Sequence, residues 1–316
     1  MLNLIRNELL KIFRRPGTLV MIGLLILITT IAGGFIKYQE VKGSVPDNVN
    51  WKQGLELENT TLQKELEMDL PKAQETYIQR QLAINEYRIE NNLSPNQTYS
   101  VWDFVKDNAQ TIEFAGLFTI IIAGGIVASE FNWGTVKLLL IRPINRQKIL
   151  LSKYATVIIF GILMLGMLFS YSTLLGYLLF GSPSTTVPHL VYTSGVVEEQ
   201  NYIIYLIKYY GLNSINMLML ATMAFMISAA FRSSSLAIGL SIFLMFMGGQ
   251  LTMLLSMRFD WAKYILFANT DLMQYFEGVP LVEGMTLTFS IIMLVLYFGL
   301  FQFLAHYIFK KRDVAA

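Results

Sequence analysis

Residues 130–154 read EFNWGTVKLLLIRPINRQKILLSKY, with five cationic residues and five leucines, and they lie between two long hydrophobic stretches. Gly134 allows the preceding helix to end, and Thr135 can cap a short new one. This new helix ends after about two turns at Arg142, because Pro143 disfavours helical backbone in the residue before it. The stretch therefore predicts a short amphipathic helix held between two longer helices.

The remainder of the stretch predicts a long helix. Asn145 can cap a helix that runs from Arg146 without a break into the next hydrophobic segment, with Arg146, Lys148 and Lys153 exposed in its first turns. The leucines of the short helix could sink into a membrane interface or fit a hydrophobic groove on a partner protein. These residues alone leave both interpretations open.

The whole chain has the composition of a membrane protein. Of its 316 residues 54% are hydrophobic and 15% charged, and the mean hydropathy is +0.50. About 20 residues with few charges are needed to cross roughly 30 Å of hydrocarbon. We predict an all-α integral membrane protein with six transmembrane helices, near residues 18–36, 111–129, 155–180, 211–230, 234–256 and 286–309. The lack of cysteine excludes disulfides, thiolate nucleophiles and sulfur-ligated metals.

The charge distribution predicts an orientation. If the amino terminus is cytoplasmic, the inner segments carry 13 cations and 3 acids, whereas the outer segments carry 11 cations and 19 acids. This Lys/Arg bias orients the protein with both termini inside. Topology alone can therefore explain any of the inner basic residues.

Two segments outside the spans are predicted to be helical. Residues 1–16 have apolar side chains at helical spacing, which predicts an interfacial helix before Pro16 and Gly17 turn the chain into the first span. Residues 37–110 form a polar insertion with 12 acids and 8 cations, and Pro71 divides it into two predicted helices. The predicted domains are therefore 1–36, the extracellular insertion 37–110, and 111–316 with the loop 130–154.

The other outer loops and the polar residues within the spans carry weaker signals. Residues 181–210 look irregular, and residues 257–285 predict short helices in or near the outer interface. Asn213, Asn216 and Gln250 are the clearest polar residues within spans. Each could form a hydrogen bond between helices or line a substrate path. Small residues four apart allow close helix contact at the pairs Gly124 with Ala128, Gly125 with Ser129, and Ala224 with Ser228.

The order and spacing of these motifs resemble the permease subunits of type-2 ABC exporters. The resemblance in the loop rests on Glu130, Gly134, Thr135, Leu138, Leu139, Pro143, Arg146 and Lys153. The amino-terminal NELLKIFRRP is similar to the connecting helix of that family through Glu8, Lys11, Arg14 and Pro16. The six-span order also matches, whereas the insertion at 37–110 departs from the simpler members.

The resemblance implies a set of partners and a mechanism. Two permeases, identical or related, would pair in the lipid bilayer of a bacterial cell membrane and bind separate ABC ATP-binding subunits. The short helix would be a cytoplasmic coupling helix, with Lys137, Arg142 and Lys148 beside the motif residues. ATP and Mg would bind the partner, because this chain has no G-x-x-x-x-G-K-[ST] phosphate loop. The chain itself would bind no cofactor, metal or nucleic acid, and a path along Asn213, Asn216 and Gln250 would export a substrate such as a peptide antibiotic or hydrophobic drug.

Two other classes compete with an exporter. An intramembrane hydrolase needs a serine and a histidine within hydrogen-bond reach, but His189 is predicted outside and His306 near the inner end of the last span. We therefore predict that the chain is not an enzyme. A non-transporting sensor or immunity component that recognises an extracellular ligand would share the same topology, so the sequence leaves it as the alternative.

Overall fold

A computed structural model describes residues 1–42, 51–95, 99–132, 145–182, 188–193 and 195–311. The chain is largely helical. In order, the described helices are α1 (Leu2–Phe13), α2 (Pro16–Lys42), α3 (Trp51–Leu66), α4 (Lys72–Glu90), α5 (Val101–Asp107), α6 (Ile112–Ile126), α7 (Ala128–Asn132), α8 (Arg146–Phe180), α9 (Tyr202–Phe231), α10 (Ser234–Ser256), α11 (Leu266–Asn269) and α12 (Leu287–Lys311).

Six helical segments are long and apolar enough to cross a membrane. They are α2, the second span Val101–Phe131, α8, α9, α10 and α12. The second span contains α5, a 3₁₀ turn at Asn108–Thr111, α6 and most of α7. The described part of the chain therefore has six candidate membrane-spanning segments, the number that the sequence predicts.

The second span and α9 form the centre of the bundle. In the most apolar 18-residue stretch of each of these two spans, 72% and 67% of the residues are buried. The corresponding share is 17% in α2, α10 and α12. The outer spans therefore expose continuous apolar faces, as expected for helices that contact lipid.

Small residues allow close contact between the second span and α10. A Cβ atom at Gly124 would lie 2.6 Å from Ile238 Cγ1 and 3.3 Å from Ala237 Cβ. Four residues on, the Ala128 amide donates a 3.0 Å hydrogen bond to Ser228 Oγ on α9. The structure therefore confirms close contact at Gly124 and Ala128. A Cβ at Gly125 would meet nothing within 4 Å.

The α1 helix and the end of α12 lie at one end of the bundle, which we call the terminal end. The α2 helix begins at Pro16, as predicted, and Thr18 Oγ1 donates a 2.7 Å hydrogen bond to the Ile12 carbonyl of α1. The Phe131 ring lies 6.3 Å from the Phe309 ring near the end of α12. The α1 helix, the end of the second span and the end of α12 therefore share one end of the bundle.

The opposite end, which we call the insertion end, carries the polar insertion and the loops between later spans. As predicted, Pro71 separates α3 from α4, and Asn85 donates a buried 2.9 Å hydrogen bond to Asn59 between these helices. The Arg80 guanidinium donates to the carbonyls of Tyr275 and Phe276. The insertion is therefore fixed against the last of these loops.

One loop at the insertion end differs from the prediction. Residues 181–210 were expected to be irregular, but β1 (His189–Thr193) and β2 (Val196–Gln200) pair antiparallel, and α9 already begins at Tyr202. The Tyr87 hydroxyl of α4 donates a 3.2 Å hydrogen bond to Glu199 of β2. The hairpin is stabilised by contact with the insertion, which a local pattern does not reveal. In residues 257–285 the structure has the predicted short helices, among them α11.

Candidate functional site

A buried ammonium group at the terminal end joins three separate parts of the sequence. Lys153 Nζ on α8 lies 2.8 Å from Glu8 Oε2 on α1 and 3.1 Å from Glu130 Oε1 on α7, and it also donates a 3.1 Å hydrogen bond to the Ile126 carbonyl. Each of its three N–H donors therefore has an acceptor. The prediction that Lys153 is exposed is wrong, because its side chain is only 4% exposed.

A second cation balances the charge. Lys11 Nζ lies 2.8 Å from Glu8 Oε1 and 3.3 Å from Glu130 Oε1, so two cations face two carboxylates. Burial lowers the pKa of Lys11, but the hydrogen bonds and charges of Glu8 and Glu130 outweigh this effect and raise it overall. Both carboxylate side chains are nearly buried. We call Glu8, Lys11, Glu130 and Lys153 the Lys153 cluster.

The cluster depends on how α1 folds. Glu8 and Lys11 are three residues apart and therefore share one face of the helix. Ile12 is buried beside them, whereas Leu2 is 81% exposed. The face that packs on the bundle therefore centres on Glu8, because an ion pair with Lys153 compensates for burial of its carboxylate.

The other coupling residues predicted from the sequence lie in three situations. Arg146 and Lys148 lie in the first turn of α8, where Asn145 Oδ1 accepts a 3.0 Å hydrogen bond from the Gln147 amide, and neither pairs with an acid in the described part of the chain. Arg14 is exposed where α1 ends, and Pro16 begins α2. The remaining predicted residues lie outside the described residues: Gly134, Thr135, Lys137, Leu138, Leu139, Arg142 and Pro143.

A second candidate site is a cavity of about 870 Å³ towards the insertion end. Its walls come from α2, the first half of the second span, α9, one residue of α10 and the loop after α11. This volume lies within the range of about 300–1,000 Å³ typical of small-molecule sites. We call it the polar cavity.

Hydrogen bonds hold the wall of the polar cavity in place. At the 3₁₀ turn of the second span, the Asn108 side chain donates to Ser172 Oγ on α8, and Thr111 Oγ1 donates a 2.7 Å hydrogen bond to Asn108 Oδ1. One turn earlier, the Tyr210 hydroxyl of α9 donates a 2.8 Å hydrogen bond to the Val105 carbonyl. The second span, α8 and α9 are therefore tied together where the cavity begins.

Three carboxylates line the polar cavity: Asp107, Glu113 and Asp271. Asp107 accepts a 2.8 Å hydrogen bond from the Tyr99 hydroxyl, and Asp271 accepts one of 2.9 Å from the Met273 amide. All three residues are exposed, and none forms an ion pair with a cation in the described part of the chain. No lysine, arginine or histidine is among the described residues that line the cavity.

Lys106, a cation next to the cavity, already has a partner. Lys106 Nζ lies 3.7 Å from Glu277 Oε2, and it lies 5.7 Å from the ring of Tyr209, which lines the cavity. His189 stacks on Tyr205 at 3.6 Å, and burial together with the charge of Lys106 lowers its pKa to about 4. His189 is therefore neutral at pH 7 and adds no positive charge here.

The structure places two of the three predicted path residues at the polar cavity and the third elsewhere. Asn213 and Asn216 both line the polar cavity, whereas Gln250 is exposed on α10 and does not. The Asn213 amide donates to the Tyr209 carbonyl of its own helix, and Asn216 Oδ1 is buried without a partner among the described residues. Among the described residues, neither atom forms a hydrogen bond between helices. The position of this pair at the cavity wall is therefore the better explanation of why two amides lie within a span.

Sequence reasoning missed the three carboxylates. A signal was present for Glu113, an acid in the first turn of a predicted span. Asp107 and Asp271 lie more than 160 residues apart, and nothing in the sequence indicates that they meet.

Comparison with known proteins identifies a family. Residues 73–315 match the family described as "Protein of unknown function (DUF2705)". The chain is 52% identical over 317 residues to "Uncharacterized protein YhcI" of Bacillus subtilis (strain 168), which covers 100% of both chains. It is 33% identical over 198 residues to "Uncharacterized membrane protein YdbK" of the same organism, which covers 62% of this chain and 76% of the relative. The chain therefore belongs to the DUF2705 family.

Proposed function

We propose that this chain is the transmembrane subunit of an ATP-driven exporter. A separate ABC ATP-binding subunit hydrolyses ATP, and it transmits force to the spans through the coupling loop between α7 and α8. A second permease copy, or a related permease, completes the membrane part. Both termini and the terminal end lie in the cytoplasm, α1 lies along the inner leaflet, and the insertion lies outside the cell. The exported substrate is a peptide antibiotic or hydrophobic drug.

The Lys153 cluster is the observation that carries this proposal. Glu8 and Lys11 come from the segment that resembles the connecting helix, while Glu130 and Lys153 flank the segment that resembles the coupling helix. All four residues therefore belong to segments that resemble one family, and they meet in a single network. A displacement of the loop between Glu130 and Lys153 would therefore move α1, the second span and α8 together.

The absence of cysteine allows the orientation to be tested directly. We expect Glu75→Cys, on the exposed surface of α4, to react with a membrane-impermeant maleimide in intact cells. We expect Lys310→Cys, at the exposed end of α12, to react only after the cells are permeabilised. If Lys310→Cys reacts in intact cells and Glu75→Cys reacts only after permeabilisation, the proposed orientation is wrong.

Coupling to an ATP-binding subunit is tested by charge reversal in the first turn of α8. We expect Lys148→Glu to lower ATP hydrolysis by the complex, purified with its ATP-binding subunit, by about tenfold, since about 1.4 kcal/mol at an interface has that effect. A carboxylate at a helix N-terminus is favourable, so the change does not weaken α8 itself.

The matched control is Lys310→Glu, which reverses an exposed cation in the last turn of α12. There a carboxylate is unfavourable to the helix, so this variant is, if anything, the more disruptive one. We expect it to keep the activity of the unmodified complex. Equal activity in both variants, or the absence of any ATP-hydrolysing subunit in the complex isolated from its native cells, contradicts the proposal and favours the sensor.

A further inference from the structure

The polar cavity has a one-sided charge. Asp107, Glu113 and Asp271 line it, and no cationic side chain is among its described lining residues. A concave site lined by charges of one sign concentrates ligands of the opposite sign, and low-dielectric walls strengthen the effect. The local field therefore favours cations over anions.

Glu113 is an independent reason to look for a ligand. It belongs to the second span, and its carboxylate has no hydrogen-bond or ion-pair partner in the described part of the chain. Ionisable residues within transmembrane segments are costly and mark substrate or ion pathways, where they face a cavity. Glu113 is exposed and lines the cavity without a partner among the described residues, so its carboxylate is accessible to a cation that enters the cavity.

The rest of the lining suits an organic cation better than a metal ion. The wall includes four aromatic residues, Phe35, Phe104, Phe114 and Tyr209. The faces of aromatic rings attract cations. Asn213 and Asn216 add polar amide groups to the same wall. The cavity volume is that of a drug-sized ligand, which is far larger than a bare metal ion.

We propose that the polar cavity binds amphipathic organic cations, with the Asp107, Glu113 and Asp271 carboxylates facing the positive charge. Under the proposed function such cations are the exported substrate class, and this part of the inference rests on that function. Binding itself does not, because the cavity belongs to one chain and needs no ATP-binding partner.

Two compounds of matched shape and opposite charge test the proposal, tetraphenylphosphonium and tetraphenylborate. Binding is measured by equilibrium dialysis to the full purified chain in lipid nanodiscs, with empty nanodiscs as background. Even at the dielectric constant of water, a carboxylate about 6 Å from the bound charge contributes a factor of about three in affinity. We therefore expect the triple variant Asp107→Asn, Glu113→Gln, Asp271→Asn to bind the cation at least about tenfold more weakly, and Glu113→Gln alone to show an intermediate loss.

The matched control neutralises three exposed carboxylates that do not line the cavity, in the variant Glu56→Gln, Glu67→Gln, Glu198→Gln. It changes the net charge by the same amount, and we expect it to bind the cation as the unmodified chain does. Equal affinities for the cation and the anion, unchanged cation binding in the cavity variant, or equal losses in both triple variants overturn the inference. If cation binding behaves as expected while Lys148→Glu leaves ATP hydrolysis unchanged, the cavity stands and the exporter proposal fails.

Discussion

Lys153→Met is expected to lower the free energy of unfolding by about 3–5 kcal/mol, since it leaves the nearly buried carboxylates of Glu8 and Glu130 with too little positive charge. The methionine has a similar length, so the apolar part of the side chain stays packed. The loss should appear as a shift in denaturant titrations of the purified protein in mixed micelles. If ATP hydrolysis is coupled through this cluster, the same variant should also lose stimulated activity.

Two further variants separate charge balance from packing. In Lys11→Met the lost ammonium is on a side chain that is 48% exposed, where solvent compensates, and we expect a loss of about 1 kcal/mol or less. Within the Lys153 cluster, Glu8→Gln combined with Lys153→Met leaves one cation facing one carboxylate, so it should be clearly more stable than Lys153→Met alone. A double variant as unstable as the sum of its single changes would show that the four charges do not act as one network.

Gly124→Leu is expected to destabilise the bundle by about 1–3 kcal/mol, the usual cost of overpacking a close contact. Its Cβ alone would lie 2.6 Å from Ile238 Cγ1 and 3.2 Å from the Ile238 backbone nitrogen, so the second span and α10 must separate. The effect can be measured as the change in the free energy of unfolding, or as loss of a crosslink between these two spans.

The neighbouring glycine provides a control within the same helix. Gly125→Leu makes the same chemical change, but a Cβ there meets nothing within 4 Å. A glycine in a helix interior is less favourable than alanine by about 0.5–1 kcal/mol, and leucine is nearly as good a helix former as alanine. We therefore expect Gly125→Leu to leave stability unchanged or slightly higher. Equal destabilisation by both variants would mean that the contact at Gly124 is not the reason.

Several elements could be predicted because their signals are local. A continuous apolar run identifies each span, and Asn145 marks the start of α8 and Pro71 the break between α3 and α4, because capping and the missing proline amide act on neighbouring residues. The β-hairpin at His189–Gln200 could not be predicted in the same way. A two-stranded hairpin is marginal alone, and contact with α4 stabilises it here.

The candidate sites also have some residues that local signals identify and some features that only the tertiary structure shows. Glu8, Lys11, Glu130 and Lys153 could be selected from the sequence as members of one resemblance, and Asn213 and Asn216 could be placed on one face by their spacing. The sequence could not show that Lys153 is buried, since a lysine in the first turns of a cytoplasmic helix is ordinarily solvated. Its burial requires two carboxylates from α1 and α7 at hydrogen-bond distance.

The sequence by itself determined that this chain has six helical segments long and apolar enough to cross a membrane, because hydropathy and helix length are properties of consecutive residues. The tertiary structure decided which charged groups meet. It brought Glu8 to Lys153 across 145 residues and placed Asp107, Glu113 and Asp271 around one cavity. Such meetings depend on how spans pack side by side, and the sequence of one span does not identify the charged residue that it meets on another.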